Sequence, residues 1–308
     1  MKGIDRIMED RGHKKSLSRK LFEIVNAIIL FSFVFLCLYP FWYIIIVSVS
    51  SPLAVARGFY LFPTTIEFTT YELLFQRDDL LGAFFISTMR TFIGTFITIL
   101  LSSFAAYLVT KEEMFYRKFV YRFIIISMYL SAGLIPWFIT MRAYGLSNNF
   151  FVYIIPGAFN AFFIILIKTF IEQLPAAIEE SASIDGANFL TIFFVMILPL
   201  SKPIIATVAV FAAVGQWNSW MDNFFLVHDR SLQTIQLVLY NYMEEATRIA
   251  QSMRLMGGAM SDTSQRMNIT AINVRMAATV ITVFPILMVY PFLQKYFVKG
   301  IMLGAIKG

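Results

Sequence analysis

Long apolar stretches separated by short polar segments divide this chain into six windows. A helix that crosses a bilayer needs about 20 predominantly apolar residues, and each window is long enough. The first run, Ile24 to Ser51, carries no charge, and the second, Leu80 to Thr110, is interrupted only by Arg90. The pattern predicts an all-α polytopic membrane protein. Its expected helices cover 23–48, 82–109, 119–142, 149–171, 199–219 and 274–296.

The composition supports a membrane protein and excludes several other classes. Of the 308 residues, 58% are hydrophobic and 14% are charged, whereas soluble domains are about 45–50% apolar and about 25% charged. Too little polar surface is left for a soluble enzyme or a disordered chain. Cys37 is the single cysteine and the chain has two histidines, so neither an internal disulfide nor a usual zinc site is expected. We expect no catalytic residue, metal or cofactor in this chain.

The distribution of basic residues predicts the orientation, because cytoplasmic loops are enriched in Lys and Arg. Seven of them lie within the first 20 residues, and others cluster after the second window and in the C-terminal tail. With six crossings, both termini are expected on the cytoplasmic side of the membrane. The net charge of +6 therefore indicates basic loops on lipid and not a nucleic-acid site. The first window is too long for a signal peptide, so it is interpreted as an uncleaved helix.

These expectations divide the chain into three parts. A basic cytoplasmic segment covers 1–22, the six-helix membrane domain covers 23–296, and a cytoplasmic tail covers 297–308. The outer loops are 49–81 and 220–273. Within the second loop, Leu232 to Met256 has apolar residues at helical spacing, which predicts an amphipathic helix. This helix would either pack on the bundle or outer leaflet, or present a docking surface to a soluble partner.

The segment between the fourth and fifth windows has an unusual charge. Carboxylates from Glu172 to Asp185 lie on the side expected to be basic. Pro175 is placed to start a short helix, and Gly186 is placed to end it. A second helical stretch, Asn188 to Leu198, leads back to the membrane. A short helix with an acidic exposed face, held outside the bilayer, is suited to hold a soluble subunit.

This segment carries a family resemblance. The stretch Glu180-Ser181-Ala182-Ser183-Ile184-Asp185-Gly186-Ala187, followed by Met196-Ile197-Leu198-Pro199, resembles the EAA loop of ABC importer permeases. Glu180, Ala182, Gly186, Leu198 and Pro199 match in register, whereas Ser181 and Met196 depart conservatively. The Trp217-Asn218-x-Trp220 motif and the run from Tyr290 to Gly300 extend the resemblance to carbohydrate-importer permeases of the MalG-like, LplC/YtcP-like group.

The resemblance implies a permease of a bacterial cell membrane, which pairs with a second homologous permease as a heterodimer. It implies two cytoplasmic ABC ATPase subunits, which carry ATP and Mg²⁺, and an extracytoplasmic solute-binding protein. The coupling helix would lie in 175–187 and dock on an ATPase. Its implied coupling residues are Glu179, Glu180, Ser181, Ala182, Asp185 and Gly186. The outer-loop residues implied to contact the binding protein are Gly257, Gly258, Ser261 and Asp262.

Polar residues at membrane depth are candidates for the substrate pathway, because they are costly in lipid and face cavities. They are Arg90, Asn160, Gln216, Asn218 and Asp222. Each has a structural alternative. Arg90 would pair with another subunit or reach the outer interface, Asn160 would bond a neighbouring helix, and the other three would mark the outer end of the fifth helix.

Other functions are less well supported by the residues. An intramembrane enzyme needs a cluster of reactive side chains, but His13, His228 and Cys37 are far apart in the sequence. No Walker phosphate-binding loop is present, so this chain is not the ATPase. A secondary transporter would be expected to show repeats and more intramembrane charges. An ABC permease for a non-sugar solute, such as a peptide or phosphate, remains the alternative to an oligosaccharide permease.

Overall fold

The computed structural model describes residues 17–51, 54–55, 61–63, 65–76, 79–255, 271–289 and 291. Within these ranges the fold is all-α, and the extended structure consists of one isolated antiparallel bridge between Ser50 and Ile66. The longer helices before the predicted coupling segment are α1 (Leu17–Val49), α2 (Thr69–Phe75), α3 (Asp79–Leu108), α4 (Arg117–Tyr129), α5 (Leu134–Ala143) and α6 (Ala161–Ile171). The later ones are α7 (Ala177–Ile184), α8 (Phe189–Leu200), α9 (Lys202–Asn218), α10 (Met221–Leu226), α11 (Ile235–Leu255) and α12 (Ala271–Val289).

The helices predicted over 23–48 and 82–109 are confirmed as α1 and α3. By length and composition, three described helices are able to cross a membrane, namely α1, α3 and α12, and the bent pair α8–α9 makes a fourth if it counts as one span. The number of six crossings therefore stays a prediction. The large apolar side chains along α1, such as Phe31 and Leu36, are exposed. Such an apolar surface on all sides of a helix is typical of a membrane span.

Two of the windows that were predicted to form continuous helices are interrupted, so the prediction of continuity was wrong for them. The window 119–142 breaks between Tyr129 and Leu134, where Gly133 has a φ of +81° and Pro136 lacks the N–H that a continuous helix would use. The window 149–171 forms a 3₁₀ turn over Phe150–Tyr153 and becomes α-helical only at Ala161. Pro156 and Gly157 interrupt it.

The helix predicted over 199–219 is confirmed as α9, which begins at Lys202 and is separated from α8 by a bend of 81°. The bend lies at Ser201, between Pro199 and Pro203. Just before it, Ile192–Ile197 forms a π-helical segment in which the Leu198 N–H donates to the Phe193 carbonyl. The wider turn precedes Pro199, which cannot donate to the helix. The window 274–296 is helical as far as Val289, and 290 and 292–296 lie outside the described residues.

The long helix α3 forms the centre of the described fold, and α6, α9 and α11 pack against it. Small and polar residues recur every three or four positions on its buried face, which allows close helix approach. These residues are Ala83, Ser87, Arg90, Gly94, Thr98, Ser102 and Ala106. Consequently, α3 connects the apolar cores on either side of it and carries the polar groups of the site.

The predicted amphipathic helix is confirmed as α11. Its buried residues Ile235, Val238 and Leu239 pack in one cluster with Leu80 of α3 and Ala277 of α12. The Ile235 N–H also donates to the Ser87 hydroxyl at 2.8 Å. The first half of α11 is therefore attached to the helix bundle, as one of the two interpretations expected.

Candidate functional site

The short helix α7 lies within the segment predicted to couple, 175–187. It begins two residues after Pro175, and the Ile178 N–H donates to the Pro175 carbonyl at 3.2 Å. It ends in a Schellman motif, because the Ala187 N–H donates to the Ala182 carbonyl and the Gly186 N–H to the Ser183 carbonyl. Gly186 has a φ of +82°, where a side chain would be strained. The turn therefore requires this glycine for its backbone conformation.

One face of α7 packs on the bundle and the other is open. Ala182 is buried in the cluster formed around Tyr107 and Phe193, so the matched alanine of the motif is a packing residue. Glu180, Ser181, Asp185 and Gly186 are exposed. The adjacent Ile184 is 86% exposed. The exposed face of α7 therefore offers both carboxylates and an apolar side chain for contact.

Glu179 faces the bundle and forms an ion pair with Lys111, which follows the end of α3. The Lys111 ammonium also lies 4.3 Å from the centroid of the Tyr107 ring, within cation–π distance. Burial lowers the pKa of Lys111, and the nearby Glu113 carboxylate acts in the opposite direction. The pair therefore ties α7 to α3 within this chain.

A cavity of about 360 Å³ lies beside α3, α6 and α9. Four of the five predicted pathway residues line it, namely Arg90, Asn160, Gln216 and Asp222. Its aromatic lining consists of Trp137, Tyr153, Phe163 and Phe211. Asn218 is exposed and is not among the lining residues. The proposed binding-protein contacts Gly257, Gly258, Ser261 and Asp262 lie outside the described residues.

Arg90 organises the polar side of this cavity. It is 3% exposed and forms a two-pronged ion pair with Asp222. Its Nε donates to Gln216 Oε1 at 3.0 Å, and one terminal nitrogen also donates to the Ser219 carbonyl at 3.1 Å. The guanidinium carbon lies 4.6 Å from the centroid of the Tyr153 ring. This side chain therefore links α3 to the junction of α9 and α10.

Hydrogen bonds also hold the first turn of α10 and the cap of α6 beside the cavity. The Asn223 side-chain oxygen accepts from the Thr234 N–H at 2.7 Å, and Asp222 Oδ1 accepts from the Asn223 N–H. The Asn160 side chain accepts from the Phe163 N–H at 3.2 Å and caps α6, so its amide oxygen has a structural role. Beyond the cavity, the Ser231 backbone N–H lowers the pKa of Asp229 by hydrogen bonding to its carboxylate.

Sequence reasoning missed several cavity residues, including Thr98, Trp137 and Tyr153. Thr98 donates from its hydroxyl to the Gly157 carbonyl at 3.1 Å, and Tyr153 donates to the Leu232 carbonyl at 2.8 Å. The Pro156-Gly157 pair was the available signal, because it breaks a helix and leaves carbonyl groups free to accept. The aromatic residues could not be distinguished from the 33 Phe and 14 Tyr of the chain.

Comparisons with known proteins identify the family. The family described as "Binding-protein-dependent transport system inner membrane component" matches residues 98–221, a range that includes α7 and most of the cavity. The polygalacturonan/rhamnogalacturonan transport system permease protein YtcP of Bacillus subtilis (strain 168) is 34% identical over 293 residues, which cover 95% of this chain and 100% of YtcP. This chain belongs to the binding-protein-dependent ABC transport permeases.

Further similarities agree with that assignment. Protein LplC of Bacillus subtilis (strain 168) is 34% identical over 94% of this permease and 96% of LplC. The crystal structure of a bacterial ABC transporter involved in the import of the acidic polysaccharide alginate matches with a TM-score of 0.78 and 29% identity, over 93% of this permease and 100% of that chain. The permease is embedded in the membrane and works with other components of an ABC importer.

Proposed function

We propose that this permease carries oligosaccharides and forms half of a translocation pathway through a bacterial cell membrane. The observation that carries the proposal is the cavity beside α3, which has aromatic rings and polar side chains in one lining. Aromatic faces stack on the CH groups of sugar rings, and amides and hydroxyls satisfy their hydroxyl groups. The relatives with named cargoes, which include a lactose permease and a melibiose/raffinose/stachyose permease, favour sugars over peptides or phosphate.

The exposed face of α7 is the proposed docking surface for a separate ATPase subunit. Glu180 and Asp185 offer carboxylates to basic residues, and Ile184 offers an apolar contact between them. The buried Ala182 and the Lys111–Glu179 pair hold the helix on the bundle. Movement of the ATPase would therefore reach α3 through packed side chains. ATP binding drives alternating access only if it favours one conformation by differential affinity.

The other proposed partners are a second homologous permease, which would complete the cavity, and an extracytoplasmic binding protein, which would deliver the sugar. The outer-loop residues Gly257, Gly258, Ser261 and Asp262 remain the proposed contact with that protein on sequence grounds. In this arrangement α7 and both termini lie in the cytoplasm. ATP and Mg²⁺ bind to the ATPase partners, and this chain performs no chemical reaction.

Uptake by the reconstituted assembly tests the proposal. Proteoliposomes would contain both permeases and the ATPase, with the binding protein and a panel of labelled solutes outside. The panel would contain a galacturonate trimer, raffinose, a tripeptide and phosphate. ATP-dependent uptake of a saccharide but not of the tripeptide or phosphate is expected. Uptake of only a non-sugar solute would contradict the proposal, as would ATP hydrolysis by the isolated permease.

Cysteine labelling tests the orientation separately. The single cysteine is first removed by Cys37→Ser. Cysteine is then placed at His228 or at Glu113, both of which are exposed. A membrane-impermeant maleimide should modify the His228→Cys variant in intact cells and the Glu113→Cys variant only after permeabilisation. The reverse pattern would invert the proposed topology.

A further inference from the structure

The amide of Gln216 has a fixed orientation in the cavity. Its Oε1 accepts from Arg90 Nε at 3.0 Å, so the amide nitrogen, Nε2, is the atom left to donate. Among the described residues, Nε2 has no hydrogen-bond acceptor in the protein. Gln216 lines the cavity, and its donor is therefore available to a bound molecule.

Two glycines make the space that this amide occupies. A Cβ built on Gly94 of α3 would lie 2.7 Å from both Cδ and Nε2 of Gln216 and 3.2 Å from its Cγ. A Cβ on Gly157 would lie 3.5 Å from Nε2. The three atoms nearest to the Gly94 position all belong to the Gln216 side chain and none to a backbone. A methyl group at 94 would therefore displace the amide and leave the helices in place.

Arg90 is suited to hold this amide and is poorly suited to bind cargo itself. Its Nε and both terminal nitrogens already donate, to Gln216, Asp222 and the Ser219 carbonyl. The Asp222 carboxylate balances its charge. A donor that bonds to the oxygen of an amide also polarises the amide, which strengthens its N–H groups as donors.

We propose that Gln216 is a specificity-determining residue, whose Nε2 donates to an oxygen of the cargo, and that Arg90 and Gly94 are positioning residues for its amide. The inference rests on the proposed function, since it takes an oligosaccharide as the cargo. The groups that accept the hydrogen bond are a sugar hydroxyl, a ring oxygen or a uronate carboxylate. Gln216 thereby selects cargo that places an oxygen at this point of the cavity.

A double-mutant cycle in the reconstituted assembly tests the inference. The variants are Gly94→Ala, Gln216→Ala and the two together, and the matched control is Gly82→Ala, because a Cβ at Gly82 meets nothing within 4 Å. The readout is the amount of labelled galacturonate trimer carried per ATP hydrolysed, at saturating binding protein. This ratio separates a lost cargo contact from a damaged assembly, which lowers uptake and hydrolysis together.

We expect Gly94→Ala and Gln216→Ala each to lower the trimer carried per ATP by roughly 3- to 10-fold, the range of one hydrogen bond. In the Gln216→Ala background, Gly94→Ala should have no further effect, since the atoms that it displaces are gone. Gly82→Ala should match the wild type.

Three results would overturn the inference. They are an unchanged ratio in Gly94→Ala, parallel losses of uptake and ATP hydrolysis, and an undiminished effect of Gly94→Ala when Gln216 is already alanine. Failure of the wild-type assembly to carry any saccharide in the uptake panel would instead defeat the proposed function, and it would be evident before any substitution was made.

Discussion

Two ion pairs anchor α3 to other parts of the fold, and their environments differ. Arg90 and Asp222 have side chains that are 3% and 13% exposed, whereas the values for Lys111 and Glu179 are 14% and 26%. The first pair fixes the junction of α9 and α10, and the second attaches α7 near the end of α3. A fully buried charge such as Arg90 has no water to replace a lost partner, whereas a partly exposed one such as Glu179 does. Loss of the first pair is therefore expected to destabilise the elements that line the cavity. Loss of the second should cost less, because that pair only attaches α7 at the edge of the bundle.

The largest expected effect comes from removing one member of the buried pair. Asp222→Ala leaves the Arg90 charge buried and unpaired, and such changes cost about 3–5 kcal/mol. Denaturant unfolding of the purified permease in detergent would measure the loss. The double variant Arg90→Leu with Asp222→Leu is the control, because it removes both charges, and it should recover most of the stability. A loss below about 1 kcal/mol in Asp222→Ala would show that water reaches the pair.

A smaller effect is expected at the end of α7. Gly186→Val places a β-branched residue at a φ of +82°, which costs about 1–2 kcal/mol although a Cβ there meets no atom within 4 Å. If this strain unfolds the turn that ends α7, the proposed docking surface is lost in the same proportion. ATPase binding should then weaken roughly 5- to 30-fold. Co-purification of the ATPase with the permease would measure it.

The matched control at this position is Gly186→Asn, because Asn tolerates the left-handed region better than other residues. It should retain most of the ATPase binding that Gly186→Val loses. Equal ATPase binding by the wild type and Gly186→Val would show that α7 is not the docking helix for the ATPase. It would not affect the assignment of the cavity.

The helices were easier to predict than their breaks. Hydropathy averaged over a window identifies α1 and α3, but averaging conceals a single Pro or Gly inside an apolar run. Pro136 and the Pro156-Gly157 pair are visible in the sequence, yet prolines also occur in continuous membrane helices. Whether a helix breaks at such a residue depends on which neighbours accept the freed backbone groups, and only the tertiary structure determines that.

The cavity could be predicted only in part, for a similar reason. Polarity at membrane depth marks Arg90 and Gln216 separately, and four of the five candidates line one cavity. Their contact joins positions 126 residues apart, and a single sequence contains no information on that pairing. The same rule selected Asn218, which is exposed, because polarity does not reveal which side of a helix end faces the cavity.

The smallest expected effect concerns the pair of Lys111 with Glu179 and completes its comparison with the pair of Arg90 with Asp222. Lys111→Met keeps most of the side-chain packing on Tyr107 and removes the charge that faces Glu179. Since the Glu179 side chain is 26% exposed, we expect a loss of at most about 1 kcal/mol, which shrinks at high salt. A double-mutant cycle with Glu179→Gln, followed by denaturant unfolding at low and high salt, isolates the pair. A coupling of several kcal/mol that is insensitive to salt would show that this pair is as buried as Arg90 with Asp222, and that α7 is a fixed part of the core.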